Sequence, residues 1–209
     1  MARPSSPYPP LAARLRSDGY SVWIFELPGL GLGDIHDTAA ALNTFADEVR
    51  AGTGATKVDL VGHSQGGLVA RGYVKWFGGA SEVDSIVSLG APHYGTAIAN
   101  IAEFFGFGDC LEIIACQQMG IGSTFLGELN AGDDTIGAVR YTNLYTLQDE
   151  LVIPIANATM RDGARNVKLQ SQCWWRVVGH VGLILDGAVY SGVDDALAGR
   201  IIDFDCWAW

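Results

Sequence analysis

The chain has 209 residues, of which 49% are hydrophobic and 17% are charged, so it is long enough for one sizeable core and short for two domains. Its formal net charge of −10 and pI near 4.6 exclude electrostatic attraction to nucleic acid or an anionic membrane, which carry the same sign. Residues 1–10 contain no apolar stretch resembling a secretory signal, and no apolar run approaches the roughly 18 residues of a membrane span. We therefore expect a single domain over residues 1–209.

The first part of the chain predicts a helix, a strand and a second helix. Residues 1–10 are rich in proline and should be irregular, and a short helix should follow over Leu11–Ser17. Apolar residues predict a buried strand over Tyr20–Glu26. The glycine-rich segment 27–34 is expected to be a loop at the sheet end where the parallel strands finish, and it lacks the spacing of a dinucleotide-binding loop. A helix is predicted over about Asp37–Ala51.

The segment 56–77 combines a strand, a tight turn and a helix around a G-x-S-x-G motif. Such motifs arise by chance in a chain with 27 glycines, but the flanking strand and helix favour a nucleophile elbow. Ser64 is then the nucleophile, and the backbone N–H of Gln65 faces the position where an oxyanion would form. Gly62 and Gly66 should supply the space that the strained turn requires.

The remaining strands and helices predict a mostly parallel α/β sheet with helices on both faces. Strands are expected at Val83–Leu89, Tyr141–Thr146 and Asn166–Gln170, and a last helix at residues 186–201. The segment 97–130 interrupts this alternation with an apolar cluster. It is either a substrate-binding cap or lid, or an ordinary pair of core helices.

Three side chains are expected to line a substrate pocket. Phe104 and Phe105 belong to the apolar cluster of the cap-like segment, and His93 follows the strand that ends at Leu89. The sequence therefore predicts an apolar binding surface beside the elbow.

A serine nucleophile needs an imidazole base and a carboxylate that orients it. His180 lies late in the chain between two glycines and is the favoured base, with His93 as the main rival, whereas His63 is expected to point elsewhere on the elbow. Asp149 lies just beyond a predicted strand and is the favoured acid, with Asp186 and then Glu150 as rivals. The order serine, aspartate, histidine is the one expected on an α/β-hydrolase sheet.

Four cysteines suit two disulfides, although free buried thiols are the alternative and the sequence cannot fix the pairing. Cys110 with Cys116 would close a small loop, and Cys173 with Cys206 would join the last strand region to the tail.

Several segments together resemble secreted bacterial triacylglycerol lipases of the α/β-hydrolase superfamily, and the later ones also resemble yeast lipases of the lipase B type. The resemblance rests on the elbow, the turn at 91–96, the segments 142–154 and 162–167, and Cys173 before His180. It implies Ser64, Asp149 and His180 as the triad, Gln65 as an oxyanion donor, a Cys173–Cys206 bridge and an extracellular enzyme.

The resemblance also implies a central strand with a His-Gly turn that supplies a second oxyanion donor, and residues 1–19 contain no candidate for it. We favour a natural protein that starts earlier. The alternatives are a strand at Tyr20 that has closed up against the elbow strand, or an inactive form.

The expected function is a serine carboxylester hydrolase acting on small or lipid esters, with no metal, no cofactor and no nucleic-acid partner. Contact with a lipid interface is compatible with the sequence. A catalytically impaired or non-catalytic remnant of the fold is the main alternative. An acyltransferase or polyester depolymerase could use the same three residues.

Overall fold

The computed structural model describes residues 10–97, 101, 110 and 113–208. Its described strands form one parallel sheet with the strand order β1-β2-β3-β4. The register pairs His63 with Leu89 and Leu89 with Leu144, so the carboxyl ends of the first three strands lie at one edge. The strands are β1 (Val58–His63), β2 (Val83–Leu89), β3 (Arg140–Tyr145) and β4 (Arg165–Lys168).

Helices cover both faces of this sheet, as the sequence predicts. Successive side chains of a strand point to opposite faces, so Ile86 packs into one apolar cluster and Val87 into the other. Side-chain oxygens cap three of the described helices: Asp34 accepts from the N–H of His36, Ser123 from that of Leu126 and Asp186 from that of Ala188. The helices are α1 (Pro10–Ser17), α2 (Ile35–Thr53), α3 (Gln65–Trp76), α4 (Ile114–Gln118), α5 (Thr124–Leu129) and α6 (Gly187–Leu197).

The predicted strand at Tyr20–Glu26 is wrong, because residues 20–27 belong to no strand. Residues 20–25 instead line a cavity of about 600 Å³ whose opposite wall is formed by β1. The segment therefore has not closed up against the elbow strand. Its apolar side chains face a cavity, and no described strand lies close enough to provide a hydrogen-bonded ladder.

The described part of segment 97–130 forms two short helices that contribute to the core. Ala115 and Cys116 of α4, and Phe125, Leu126 and Leu129 of α5, are buried in the apolar cluster that also contains α2 and α3. Phe104 and Phe105 lie outside the described residues. Whether this segment acts as a cap stays a prediction.

Two disulfides join the four cysteines, Cys110 with Cys116 and Cys173 with Cys206. The sequence leaves the pairing open, and the Cys173–Cys206 bridge is the one that the resemblance implies. No helix among the described residues is both long and apolar enough to cross a bilayer.

Candidate active site

Ser64 lies between the end of β1 and the start of α3 in a backbone conformation that side chains rarely adopt. Its φ is 54° and its ψ is −124°. Strain of this kind costs about 1–3 kcal/mol and persists where the surrounding structure holds it. The N–H of Ser64 donates to the carbonyl of Leu89 at 2.9 Å, which ties the turn to the end of β2. The geometry is that of a nucleophile elbow.

Two glycines provide the space around this turn, and one of them is not the glycine that the sequence indicates. A Cβ atom on Gly62 would lie 2.5 Å from the carbonyl carbon of Gly66, so position 62 must be glycine. A Cβ atom on Gly66 itself would meet nothing within 4 Å, whereas one on Gly67 would lie 2.5 Å from that of Ala91. The expectation for Gly66 is corrected, because the close approach to β2 occurs one residue later.

His180 and Asp149 form a buried pair. The Nδ1 atom of His180 lies 2.9 Å from Oδ2 and 3.0 Å from Oδ1 of Asp149, and each side chain is only 1% exposed. The backbone N–H groups of Leu151 and Val152 donate to Oδ1 of Asp149 at 3.0 and 2.8 Å. The Asp149 carboxylate favours the tautomer of His180 that carries the ring proton on Nδ1. This leaves Nε2, on the opposite edge of the ring, able to act as a base.

The end of β2 brings this pair to the elbow. Leu89 holds the N–H of Ser64, and the next residue, Gly90, packs against the pair. A Cβ on Gly90 would lie 3.0 Å from Oδ2 of Asp149 and 3.3 Å from Nδ1 of His180. The buried pair and the backbone of Ser64 thus lie at the same carboxyl edge of the sheet.

The expectation that His63 points away from the active side of the elbow is wrong. Its Nε2 atom donates to the backbone carbonyl of His180 at 3.0 Å, and the two ring centroids are 4.6 Å apart. Burial, and secondarily the charge of a protonated His180, lowers the pKa of His63 to about 4. His63 is therefore neutral near pH 7, and its ring lies against that of His180.

The two rival acids have other partners. Asp186 accepts from Nε of Arg176 at 2.8 Å and caps α6, so it supports structure away from the imidazole. Glu150 accepts from the backbone N–H of His180 at 2.8 Å, a contact that the sequence does not predict. Its position directly after Asp149 is the one signal that the sequence offers for it.

Gln65 is the first residue of α3, so its N–H lies at the positive end of the helix dipole. Its side chain contacts the loop of residues 28–31, because a Cβ on Gly31 would lie 2.9 Å from Oε1 of Gln65. The loop thus lies beside the elbow, as expected. The buried Nε2 atom of Gln65 has no hydrogen-bond partner among the described residues.

His93 has no exposed surface and belongs to a buried polar network. Its Nε2 donates to Oδ1 of Asn143 at 2.9 Å, and Nη1 of Arg71 donates to its Nδ1 at 3.5 Å. Burial, followed by the positive charge of Arg71, lowers its pKa to about 3. Its expected role in lining a substrate pocket gains no support from this position, nor does its role as rival base.

One group of carboxylates could in principle hold a metal ion. Oxygens of Asp133, Asp134 and Asp162 lie within 4.8 Å of one another. Asp134 already accepts hydrogen bonds from the hydroxyl of Tyr94 and the backbone N–H of Arg161. These internal donors explain why the carboxylate is buried here.

Comparison with known proteins gives the family. A family model described as the alpha/beta hydrolase fold matches residues 4–171. A triacylglycerol lipase of Pseudarthrobacter phenanthrenivorans is 33% identical over 113 residues, which is 54% of this chain and 32% of that protein. Lipase B of Pseudozyma antarctica is 28% identical over 172 residues, which is 78% of this chain and 48% of that protein.

A solved structure agrees with these relatives. The crystal structure of Aspergillus fumigatus lipase B superposes with a TM-score of 0.69 at 21% identity, covering 82% of this chain and 44% of that one. This chain therefore spans between a third and a half of the length of these relatives. With the parallel sheet, the elbow and the match over residues 4–171, the chain belongs to the α/β-hydrolase fold family.

Proposed function

We propose that the chain is a serine carboxylester hydrolase in which Ser64 is the nucleophile, His180 the general base and Asp149 the residue that orients it. The observation that carries the proposal is the buried pair of Asp149 and His180, 2.9 Å apart, beside a serine held at a φ of 54°. The relatives named as lipases support the same class of reaction.

The proposed reaction has two steps. Nε2 of His180 takes the proton of Ser64 while Oγ attacks the ester carbonyl, and the resulting oxyanion accepts from the N–H of Gln65. The imidazolium then returns the proton to the leaving alcohol, which gives an acyl-enzyme. Water activated by the same imidazole releases the acid and restores the serine.

The test is hydrolysis of nitrophenyl esters of increasing acyl length by the wild-type chain and by Ser64→Ala. The wild type should hydrolyse them, and the variant should be slower by a factor of about 10³ or more, because the acyl-enzyme cannot form. Equal rates in the two proteins would remove the proposal.

Lipid esters are the proposed natural substrates. Three tryptophans form one exposed aromatic cluster, since Trp174 is 77% and Trp207 74% exposed and both rings contact Trp175. Exposed aromatic clusters of this kind suit a neutral lipid–water interface, where their amphipathic rings sit favourably. An emulsified triacylglycerol should then be hydrolysed alongside soluble esters, whereas activity confined to short soluble esters would argue for an esterase.

An extracellular location is also proposed. Two disulfides persist in oxidising compartments and are rare in the cytosol. The lipase relatives are consistent with such a location.

A non-catalytic member of the fold is the second candidate. It is favoured by the cavity of about 600 Å³ beside β1, the strand that carries the nucleophile. If β1 moved into this cavity, Ser64 would move relative to His180. Stoichiometric labelling of Ser64 by an organophosphonate would exclude this candidate, since labelling needs a working base.

A further inference from the structure

The backbone of His180 is held by two side chains, one at its N–H and one at its carbonyl. The N–H donates to Oε2 of Glu150 at 2.8 Å, and the carbonyl accepts from Nε2 of His63 at 3.0 Å. Glu150 directly follows Asp149, and His63 directly precedes Ser64. We propose that Glu150 and His63, here called the His180 clamp, are positioning residues that fix the imidazole between Asp149 and Ser64. This inference rests on the proposed function.

Side chains add to the little regular structure at His180, whose carbonyl also accepts from the N–H of Leu183 at 3.3 Å. Residues 176–179 belong to no helix or strand, and only a short 3₁₀ turn, Val181–Ile184, follows the histidine. No strand ladder fixes the peptide groups on either side of residue 180. A displacement of about 1 Å at a catalytic group can cost roughly 10²-fold in rate, so the backbone that bears the imidazole must be held in another way.

Gly179 shows how closely the carboxylate of Glu150 approaches this backbone. A Cβ on Gly179 would lie 2.7 Å from Oε2 of Glu150 and 3.3 Å from its Oε1. The φ of Gly179 lies outside the left-handed region, so the glycine is required for space and not for backbone conformation. The residue before the base is thus small because a carboxylate packs against it.

The neutral state of His63 suits the other half of the clamp. A carbonyl oxygen can only accept, so Nε2 of His63 must carry a proton for this hydrogen bond. Burial keeps the ring neutral near pH 7 by lowering its pKa to about 4. A neutral ring 4.6 Å from that of His180 adds no positive charge where the imidazolium forms during the reaction.

The experiment uses one disruptive and one conservative substitution at each position. Glu150→Ala and His63→Phe remove the acceptor and the donor, whereas Glu150→Gln and His63→Gln retain a carbonyl acceptor and an N–H donor. For each protein, kcat and KM are measured with p-nitrophenyl butyrate. Hydrogen exchange of the His180 amide and Tm are measured on the same samples.

The disruptive variants should lower kcat by about 10-fold to 100-fold with KM changed less than about 2-fold. Both glutamine variants should recover most of kcat, and the amide of His180 should exchange faster only in the disruptive pair. A lower Tm with unchanged kcat would show a merely structural role and overturn the proposal. Failure of both glutamine variants to recover kcat would overturn it as well.

The amide exchange separates this proposal from the proposed function. If the wild type shows no Ser64-dependent hydrolysis, the proposed function fails. Hydrogen exchange of the His180 amide alone then tests whether the His180 clamp exists. Faster exchange at residue 180 in the disruptive pair would support the clamp, and unchanged exchange would overturn it. Ser64-dependent hydrolysis with unchanged kcat in all four variants would remove the clamp and leave the hydrolase intact.

Discussion

Two imidazoles, those of the partly buried His63 and the buried His93, couple the stability of the protein to pH. Burial lowers their pKa values to about 4 and about 3, with further contributions from the positive charges of His180 and Arg71. Both rings are neutral in the folded protein over a range where an unfolded chain, with a pKa near 6.5, binds protons. Folding therefore becomes less favourable as the pH falls below about 6.5.

The free energy of unfolding should accordingly decrease steadily from about pH 6.5 towards pH 4. His63 accounts for at most about 3 kcal/mol of that loss, because each tenfold change in proton affinity is worth about 1.4 kcal/mol. Urea unfolding at several pH values measures the slope in the wild type and in His63→Gln, which cannot titrate. A wild-type stability that is flat between pH 7 and 5, or an equal slope in the variant, would contradict this explanation.

The sequence indicates some residues of the candidate site and not others. Ser64 is indicated by the G-x-S-x-G motif, and Asp149 by its position just after a strand. His180 is indicated by its place late in the chain, after both. The structure pairs Asp149 with His180 at the sheet edge where Ser64 follows β1, and the triad itself stays a proposal. The contacts of His63 and Glu150 with the backbone of His180 could not be read from the sequence, because they depend on the path of an irregular segment.

At the scale of elements, the elbow depends on close packing between β1, α3 and β2. Gly62 faces the first turn of α3, and Gly67 faces Ala91 beyond the end of β2. These contacts place the start of α3, and with it the N–H of Gln65, beside Ser64. The position of the proposed oxyanion donor thus depends on two glycines.

Gly62→Ala should destabilise the protein by more than about 2 kcal/mol, because its Cβ would overlap backbone atoms that cannot move independently. Gly66→Ala is the matched control, since its Cβ meets nothing within 4 Å and alanine favours a helix by up to about 1 kcal/mol over glycine. Urea unfolding of both variants measures the difference. Similar destabilisation in the two would show that the elbow does not impose this packing.

A strand is predicted correctly where the apolar segment is both buried and paired with a neighbouring strand. The prediction fails where an apolar segment has no neighbouring strand to pair with. Val83–Leu89 is buried along nearly its whole length between two partners, and its predicted bounds are those of β2. Tyr20–Glu26 has a similar apolar composition but no partner strand among the described residues. Composition reports the burial of side chains and does not report whether a neighbour is present for backbone hydrogen bonds.

At the scale of the whole molecule, β1 is less buried than its neighbour β2. Its residues are mostly only partly buried, whereas those of β2 are almost all buried. No described residue pairs with its outer edge, and the cavity of about 600 Å³ lies along it. Among the described residues, the strand that leads into Ser64 is therefore supported on one edge, by β2. That residues 1–209 form a single domain stays a prediction.

Hydrogen exchange should reveal this asymmetry. The N–H groups of Val58 and Ser64 point to β2, so alternation directs those of Asp59, Val61 and His63 to the outer edge. We expect these three amides to exchange at least about 10²-fold faster than those of Ile86–Ser88 in β2. Residue-resolved exchange by NMR is the measurement. Equal protection would mean that the outer edge of β1 is covered in solution.

The most direct test of the proposed triad is covalent labelling of Ser64 by an organophosphonate ester, followed by mass spectrometry of the digested protein. We expect one adduct, on the peptide that contains Ser64, and a labelling rate at least about 10³-fold lower in His180→Ala. An unlabelled Ser64, or equal labelling with and without the imidazole, would contradict the triad.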